Sequence, residues 1–288
     1  MGQQLNEWQR LLRWASSVLQ AAGIPEAAQE AHLLLLRVAK TTPELLYAHP
    51  PALSPAVVAQ YRRWVKARAG GMPFAYLVGE REFMGLSLRV TPSVLIPRPE
   101  TETLVEAALK AIANPQACVV DVGTGCGAVA LALRRFGPPG WRILGVDVSE
   151  PALEVARANA RRLGLGVEWR RSDLLSAVVE PLDGVVANLP YIAAGDPRAG
   201  PELRFEPALA LYGPAAGRGL LRRLVAEAHQ RLKPGGWLGM EMAPDEVEEI
   251  AGELKRWGYR AVAVMRDLSG QPRVVHGVRG GESKWQRP

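Results

Sequence analysis

The residues most suited to chemistry are Asn188, Leu189, Pro190 and Tyr191. They follow the apolar run Gly184-Val185-Val186-Ala187, so a buried strand leads into a polar, proline-containing, aromatic turn. An amide or amino nitrogen is a poor nucleophile because its lone pair is delocalised. The Asn188 side-chain oxygen and the Leu189 backbone carbonyl can each accept one N–H of such an NH2 group, holding it and favouring a more tetrahedral nitrogen. Tyr191 can stack on the plane of the acceptor. Orienting donor and acceptor in this way is worth up to roughly 7–11 kcal/mol of a barrier, without a metal or a strong base. The plain structural alternative is a strand-ending Asn-x-Pro turn.

A second group of residues points to a nucleotide-like cofactor. Val119-Val120-Asp121-Val122-Gly123-Thr124-Gly125-Cys126-Gly127 reads as a strand entering a glycine-rich turn, and Ala128–Phe136 as the helix that follows. Glycines there let the backbone bend tightly and approach a ligand. The spacing also satisfies the dinucleotide fingerprint, so a nucleotide-dependent oxidoreductase stays open beside a methyl-transfer enzyme. Asp147 ends the next strand, where a carboxylate can accept both ribose hydroxyls. Asp121 would either order the glycine loop or meet the charged amino group of a methionine moiety. Asp173 would accept from an adenine amine and Leu174 would pack on its ring; Asp173 would equally serve as a helix N-cap. The expected cofactor set is Gly123, Thr124, Gly125, Cys126, Gly127, Asp147, Asp173, Leu174 and Asn188, with no metal ligands.

The elements that must position these residues follow from pattern. Strands are expected at Ala117–Val122, Arg142–Val148, Gly166–Arg170, Gly184–Asn188, Gly236–Met242, Tyr259–Arg266 and Arg273–Val278. Buried strands alternating with helices call for an α/β fold with a mostly parallel seven-stranded sheet covered on both faces. Only Asp267-Leu268-Ser269-Gly270 separates the last two strands, too short for a helical crossover, so they should pair antiparallel. Residues 1–70 read as a small helical domain and 71–98 as a linker. In that linker Tyr76–Gly79 and Leu86–Val90 look like the two arms of a hairpin. The cofactor domain spans 99–279, and 280–288 reads as a flexible tail.

With 48% hydrophobic and 22% charged residues, the 288-residue chain can bury a real core. Cys118 and Cys126 form neither a disulfide framework nor a CxxC metal site, which fits a reducing, cytoplasmic setting. The N-terminus lacks the pattern of a signal peptide, and no stretch approaches a membrane span. The charge of +6 and the isoelectric point near 9.6 suit a polyanionic partner, although an arginine-rich proteome gives the same balance.

Further segments set these motifs in a family. They are Gly79–Leu86, Val94-Leu95-Ile96-Pro97-Arg98-Pro99-Glu100-Thr101-Glu102, Arg204-Phe205-Glu206-Pro207 and Arg266–Gln271. With the Asn188–Tyr191 turn and the glycine loop, they resemble the HemK/PrmC family, which methylates the glutamine of the Gly-Gly-Gln motif in peptide chain release factors. The resemblance covers nearly the whole chain. It implies a class I, Rossmann-like methyltransferase fold, S-adenosylmethionine as methyl donor and S-adenosylhomocysteine as product. The partner it implies is a release factor, with no obligatory nucleic acid and no membrane, and the helical domain would help to bind it. It assigns cofactor contacts to Gly123–Gly127, Asp147 and Asn188, a substrate clamp to Asn188–Tyr191, and closure of the site to Arg98–Glu100. Two positions depart from the family pattern: Leu189 stands where proline is usual, and Leu174 where an aromatic often lies. A nucleic-acid amino-methyltransferase would need a base-flipping pocket and a DNA- or RNA-reading region, and the sequence shows neither a large recognition domain nor aromatic-interleaved basic runs. The histidines His32, His49, His229 and His276 are not placed for hydride-transfer chemistry.

Overall fold

A computed structural model of the chain describes residues 6–48, 52–192, 200–213 and 218–281. It divides into two compact units between Gly79 and Glu80.

The first unit is helical. Helix α1 (Glu7–Ala21) starts at a capping box in which the Asn6 and Gln9 side chains satisfy each other's backbone N–H groups. Helix α2 spans Ala27–Ala39, α3 Pro43–Ala48 and α4 Pro55–Ala69, the last with Ser54 as N-cap and proline in its first turn. Leu11, Ala15 and Leu19 of α1 pack with Leu34 and Leu35 of α2 and Tyr61 and Val65 of α4. The Tyr61 hydroxyl donates to the Ala31 carbonyl at 2.9 Å, so the buried phenol is satisfied. Arg68, almost fully buried, grips Glu30 through two N–H groups at 2.5 and 3.0 Å.

The hairpin expected from Tyr76 is displaced. Phe74–Val78 forms a helix, α5, entered at Pro73 and closed by Gly79 at φ +78°, and it packs on the helical core through Phe74, Leu77 and Val78. The arms of the hairpin are β1 (Glu80–Phe83) and β2 (Leu86–Arg89). Met84 and Gly85 both have positive φ, the two-residue turn whose twist suits a hairpin. The break between units therefore falls at Gly79 rather than at Gly70.

Within the described residues, the second unit carries a seven-stranded sheet. Its strands are β3 (Cys118–Val122), β4 (Arg142–Asp147), β5 (Glu168–Arg171), β6 (Leu182–Asn188), β7 (Leu232–Glu241), β8 (Tyr259–Arg266) and β9 (Pro272–Arg279). Their order across the sheet is β5-β4-β3-β6-β7-β9-β8. All neighbours from β5 to β7 are parallel, while β9 runs antiparallel to both β7 and β8. Strand β7 begins at Leu232, ahead of the expected Gly236. The order reverses at β3, so the crevice beyond the carboxyl ends of β3, β4 and β6 is the binding edge of the sheet. Helices α6 (Glu102–Ala111), α7 (Ala128–Phe136), α8 (Glu150–Leu163), α9 (Ala208–Leu211), α10 (Arg218–Arg231) and α11 (Val247–Arg256) complete the unit. The expected tail falls outside the described residues from Glu282 onward.

Candidate active site

Strand β3 ends in the glycine turn because its next residues adopt conformations that L side chains resist. Gly123, Gly125 and Gly127 have φ of +73°, +56° and +87°. A Cβ on Gly123 would lie 2.9 Å from the Leu189 side chain, so this glycine lets the ends of β3 and β6 converge. A Cβ on Gly125 would meet nothing, and Gly125 lines the cavity. Gly127 is crowded instead by Trp169, at 2.8 Å from a would-be Cβ. Gly127→Ala is expected to destabilise the protein by about 2–4 kcal/mol, combining positive-φ strain with overpacking. Urea unfolding checks this value, and a midpoint equal to wild type would refute it.

The loop is braced from behind. Asp121 is buried and accepts from the Thr124 hydroxyl at 2.6 Å and from the Ala130 N–H at 3.1 Å. Burial pushes its carboxyl up to about 7, against the pull of those two bonds. Of the two roles expected for Asp121, loop ordering is the one its bonds perform, and it does not line the cavity. The fully buried Asn159 of α8 donates to the carbonyls of Cys126 and Arg89, and accepts from the Arg89 N–H at 2.7 Å. One side chain thus ties the glycine loop, α8 and the hairpin together.

A cavity of about 320 Å³ opens beyond these strand ends. Gly123, Gly125, Asp147, Asp173, Leu174, Asn188, Leu189 and Pro190 all line it, from the positions expected by sequence. Thr124, Cys126, Gly127 and Tyr191 do not: Thr124 turns to Asp121, Cys126 is buried, Gly127 faces Trp169, and Tyr191 lies beside the cavity with its hydroxyl pushed up to about 12 by burial and by Glu241. Asp147 accepts from the Gly125 N–H through one oxygen and from the Ser149 N–H through the other, both at 2.9 Å. Each oxygen keeps a further lone pair for a diol. Burial raises its pKa despite these bonds. Asp173 is exposed and pairs with Arg223 at 3.1 Å. Leu174 is buried at φ +47°, an unusual conformation for leucine that turns the chain at the cavity wall. Leu95, Val148, Leu209 and Tyr212 add apolar walls that periodicity did not single out. A mainly apolar cleft with a backbone-anchored carboxylate at the end of the second parallel strand suits an adenosine moiety.

At the reacting end, β6 stops at Asn188 because Pro190 has no N–H to extend the ladder and restricts Leu189 before it. The Asn188 amide nitrogen donates to the Thr101 hydroxyl at 3.0 Å. Its oxygen is therefore the free acceptor of the side chain. Thr101 closes the 3-10 turn Pro99–Thr101 that precedes α6. That turn is anchored in turn by the buried Glu206, which accepts from the Ile96 N–H at 2.9 Å and pairs with the Arg98 guanidinium. The segments Ile96–Glu102 and Arg204–Pro207, far apart in sequence, brace each other beside the Asn188 turn. Glu241, level with Asn188 on the neighbouring strand β7, is 1% exposed and was not anticipated from sequence.

Comparison with known proteins agrees with this geometry. The family model of the PrmC N-terminal domain matches residues 10–79, and that of a methyltransferase domain matches 119–200. A release factor glutamine methyltransferase of Cereibacter sphaeroides is 41% identical over 269 residues, 92% of this chain and 95% of that protein. One from Deinococcus radiodurans is 37% identical over 278 residues, 94% and 98% of the respective chains. Among solved structures, a methyltransferase from Pyrococcus furiosus aligns with a TM-score of 0.53 at 20% identity, covering 68% of this chain and 90% of its own. The ribosomal protein L11 methylase from Lactobacillus delbrueckii subsp. bulgaricus gives 0.51 at 21%, covering 67% and 86%. These two share the class I methyltransferase fold. With near-complete coverage by sequence relatives and a cofactor crevice built to match, the chain belongs to the release factor glutamine methyltransferase family.

Proposed function

We propose that this protein methylates the side-chain amide nitrogen, N5, of the glutamine in the Gly-Gly-Gln motif of peptide chain release factors. The observation that carries the proposal is the Asn188 turn: Thr101 occupies the amide nitrogen and leaves the oxygen as an acceptor at the cavity wall. S-adenosylmethionine supplies an electrophilic methyl carbon on a sulfonium. Asp147 would hold its ribose, the Gly123–Gly125 backbone its methionine end, and Asp173 and Leu174 its adenine. The Asn188 oxygen and the Leu189 carbonyl would each accept one N–H of the substrate amide, fixing the nitrogen with its lone pair toward the methyl carbon. The acceptor at position 189 is a backbone carbonyl, so leucine serves where proline is usual. Tyr191 would pack against the amide plane and exclude water. The helical unit would help to hold the folded protein substrate, and a cytoplasmic setting is in keeping with Cys118 and Cys126 forming no disulfide.

The test is incubation with labelled S-adenosylmethionine and, in separate reactions, a release factor, its Gly-Gly-Gln variant with Gln→Ala, and total nucleic acid. Label is expected on the intact release factor alone. Label on the variant would place the modification elsewhere, and label on nucleic acid would favour a basic, RNA-directed enzyme instead.

A further inference from the structure

We infer that Asn159 is a positioning residue for S-adenosylmethionine: its buried side-chain amide holds the glycine turn and the exit of the β1–β2 hairpin against each other, and so sets the spacing of two walls of the cofactor cavity. The inference concerns the cofactor side of the reaction and holds whichever amide nitrogen is methylated.

The partners of the amide fix its orientation. Its Oδ1 accepts from the Arg89 N–H at 2.7 Å, and its Nδ2 donates to the Arg89 and Cys126 carbonyls, both at 3.0 Å. The two bonds to Arg89 pair the amide with the last residue of β2 as a neighbouring strand would. The third reaches into the glycine turn, between Gly125, which lines the cavity, and Gly127, which caps α7. Asn159 is 0% exposed, so water does not take over these bonds when the amide is lost.

Both groups that it holds continue directly into cavity wall. On one side stand Gly123 and Gly125, whose positive φ gives them the widest choice of conformation once a fixed partner is gone. On the other, Arg89 leads through the buried Val90 into a turn closed on itself. There the Val94 N–H donates to the Thr91 carbonyl at 3.0 Å and the Ser93 N–H to the Thr91 hydroxyl at 3.3 Å. Ser93, Val94 and Leu95 then line the cavity, so a shift of Arg89 is carried to the wall. Asp121 braces the glycine turn to its own strand and to α7; Asn159 ties it to the second wall. Helix α8 is the frame for this tie. It starts at Ser149, whose N–H donates to Asp147 at 2.9 Å, so one helix bears on the ribose carboxylate at its first turn and on the glycine turn at Asn159.

The experiment titrates wild type, Asn159→Asp, Asn159→Ala and Arg162→Ala with S-adenosylmethionine and S-adenosylhomocysteine by calorimetry, below the unfolding temperature of each, and follows hydrogen exchange across Gly123–Gly127. Methylation of a release factor at saturating cofactor gives kcat. Asn159→Asp keeps the size of the side chain and the acceptor for Arg89, but turns an oxygen toward two carbonyls. Both Asn159 variants should raise the dissociation constant of each ligand by about tenfold or more. Exchange across the glycine turn should quicken, while kcat at saturation stays within about threefold of wild type. Arg162, on the next turn of α8, donates to the Ser87 carbonyl and lies 3.8 Å from Glu80, so Arg162→Ala loosens the hairpin without touching the glycine turn. Its cofactor affinity should stay within about threefold of wild type. Unchanged affinity in Asn159→Asp, or an equal loss in Arg162→Ala, overturns the inference. So does failure of both Asn159 variants to fold, which would make the residue a support of the fold alone. A wild type that binds the cofactor but leaves the release factor unmethylated would sink the proposed function, and the binding comparison would still decide the role of Asn159.

Discussion

Asn188→Ala is expected to lower kcat for glutamine methylation by about 10²–10³-fold or more, the scale of losing one transition-state hydrogen-bonding group. Cofactor affinity should change little, because alanine removes the acceptor without displacing Asp147 or the glycine turn. Single-turnover methylation combined with calorimetric titration of S-adenosylmethionine separates the two effects. Full retained activity would mean that the amide is held by other groups. Equal loss of cofactor binding would mean that Asn188 supports the cavity rather than the substrate. Asn188→Asp is a sharper probe: it keeps an acceptor oxygen but puts a second carboxyl next to the buried Glu241, its register partner on β7, where like charges oppose each other.

Asp147→Ala should have the largest effect on cofactor binding. Its carboxylate fixes the Gly125 and Ser149 N–H groups and faces the cavity. Hydrogen bonds to a charged group are worth roughly 1.5–3 kcal/mol each, so losing the diol contacts should raise the dissociation constant of S-adenosylmethionine by about 10²-fold or more. Asp147→Asn keeps one acceptor and should fall between. At saturating cofactor, kcat in Asp147→Ala should return to within about tenfold of wild type, since the Asn188 turn is untouched. A kcat that stays low at saturation would show that the loop, and not only the ribose contact, depends on this carboxylate.

The parts of the site legible in sequence are those built from consecutive residues. Gly123, Gly125 and Asn188–Pro190 stand where a strand end meets a turn, so the local pattern already places them at the cavity, whereas Thr124, Cys126, Gly127 and Tyr191 of the same runs do not line it. Asp147 was legible for the same reason, as the polar residue ending an apolar strand. Glu241 was not, because its place beside Asn188 depends on β7 lying beside β6, a neighbour relation fixed only when the sheet assembles. Thr101 and Glu206 lay in segments quoted for the family resemblance, but their bonds were not legible, since their partners Asn188, Ile96 and Arg98 meet them only through the fold. The misplaced hairpin has a local cause. Tyr76-Leu77-Val78 has strand-like side chains, but Pro73 and Gly79 cap a helical turn whose apolar face the helical core buries. For Asp121 the sequence left loop ordering and a ligand contact open, and the fold buries it behind the loop, where one of its oxygens accepts from Thr124 and Ala130.

The place of β9 between β7 and β8 bears on how the molecule matures during synthesis. As the chain emerges, β7 and β8 are made before the strand that must part them, and each waits with an open edge. Val274 of β9 is the register partner of Glu241 of β7. A nascent chain that has not yet delivered Pro272–Arg279 can have its glycine turn and its Asn188 turn in place while β7 is still a border strand of the sheet. Docking of the final strand removes that border. A chain cut short ahead of β9 would present β7 and β8 with open strand edges instead of a closed sheet.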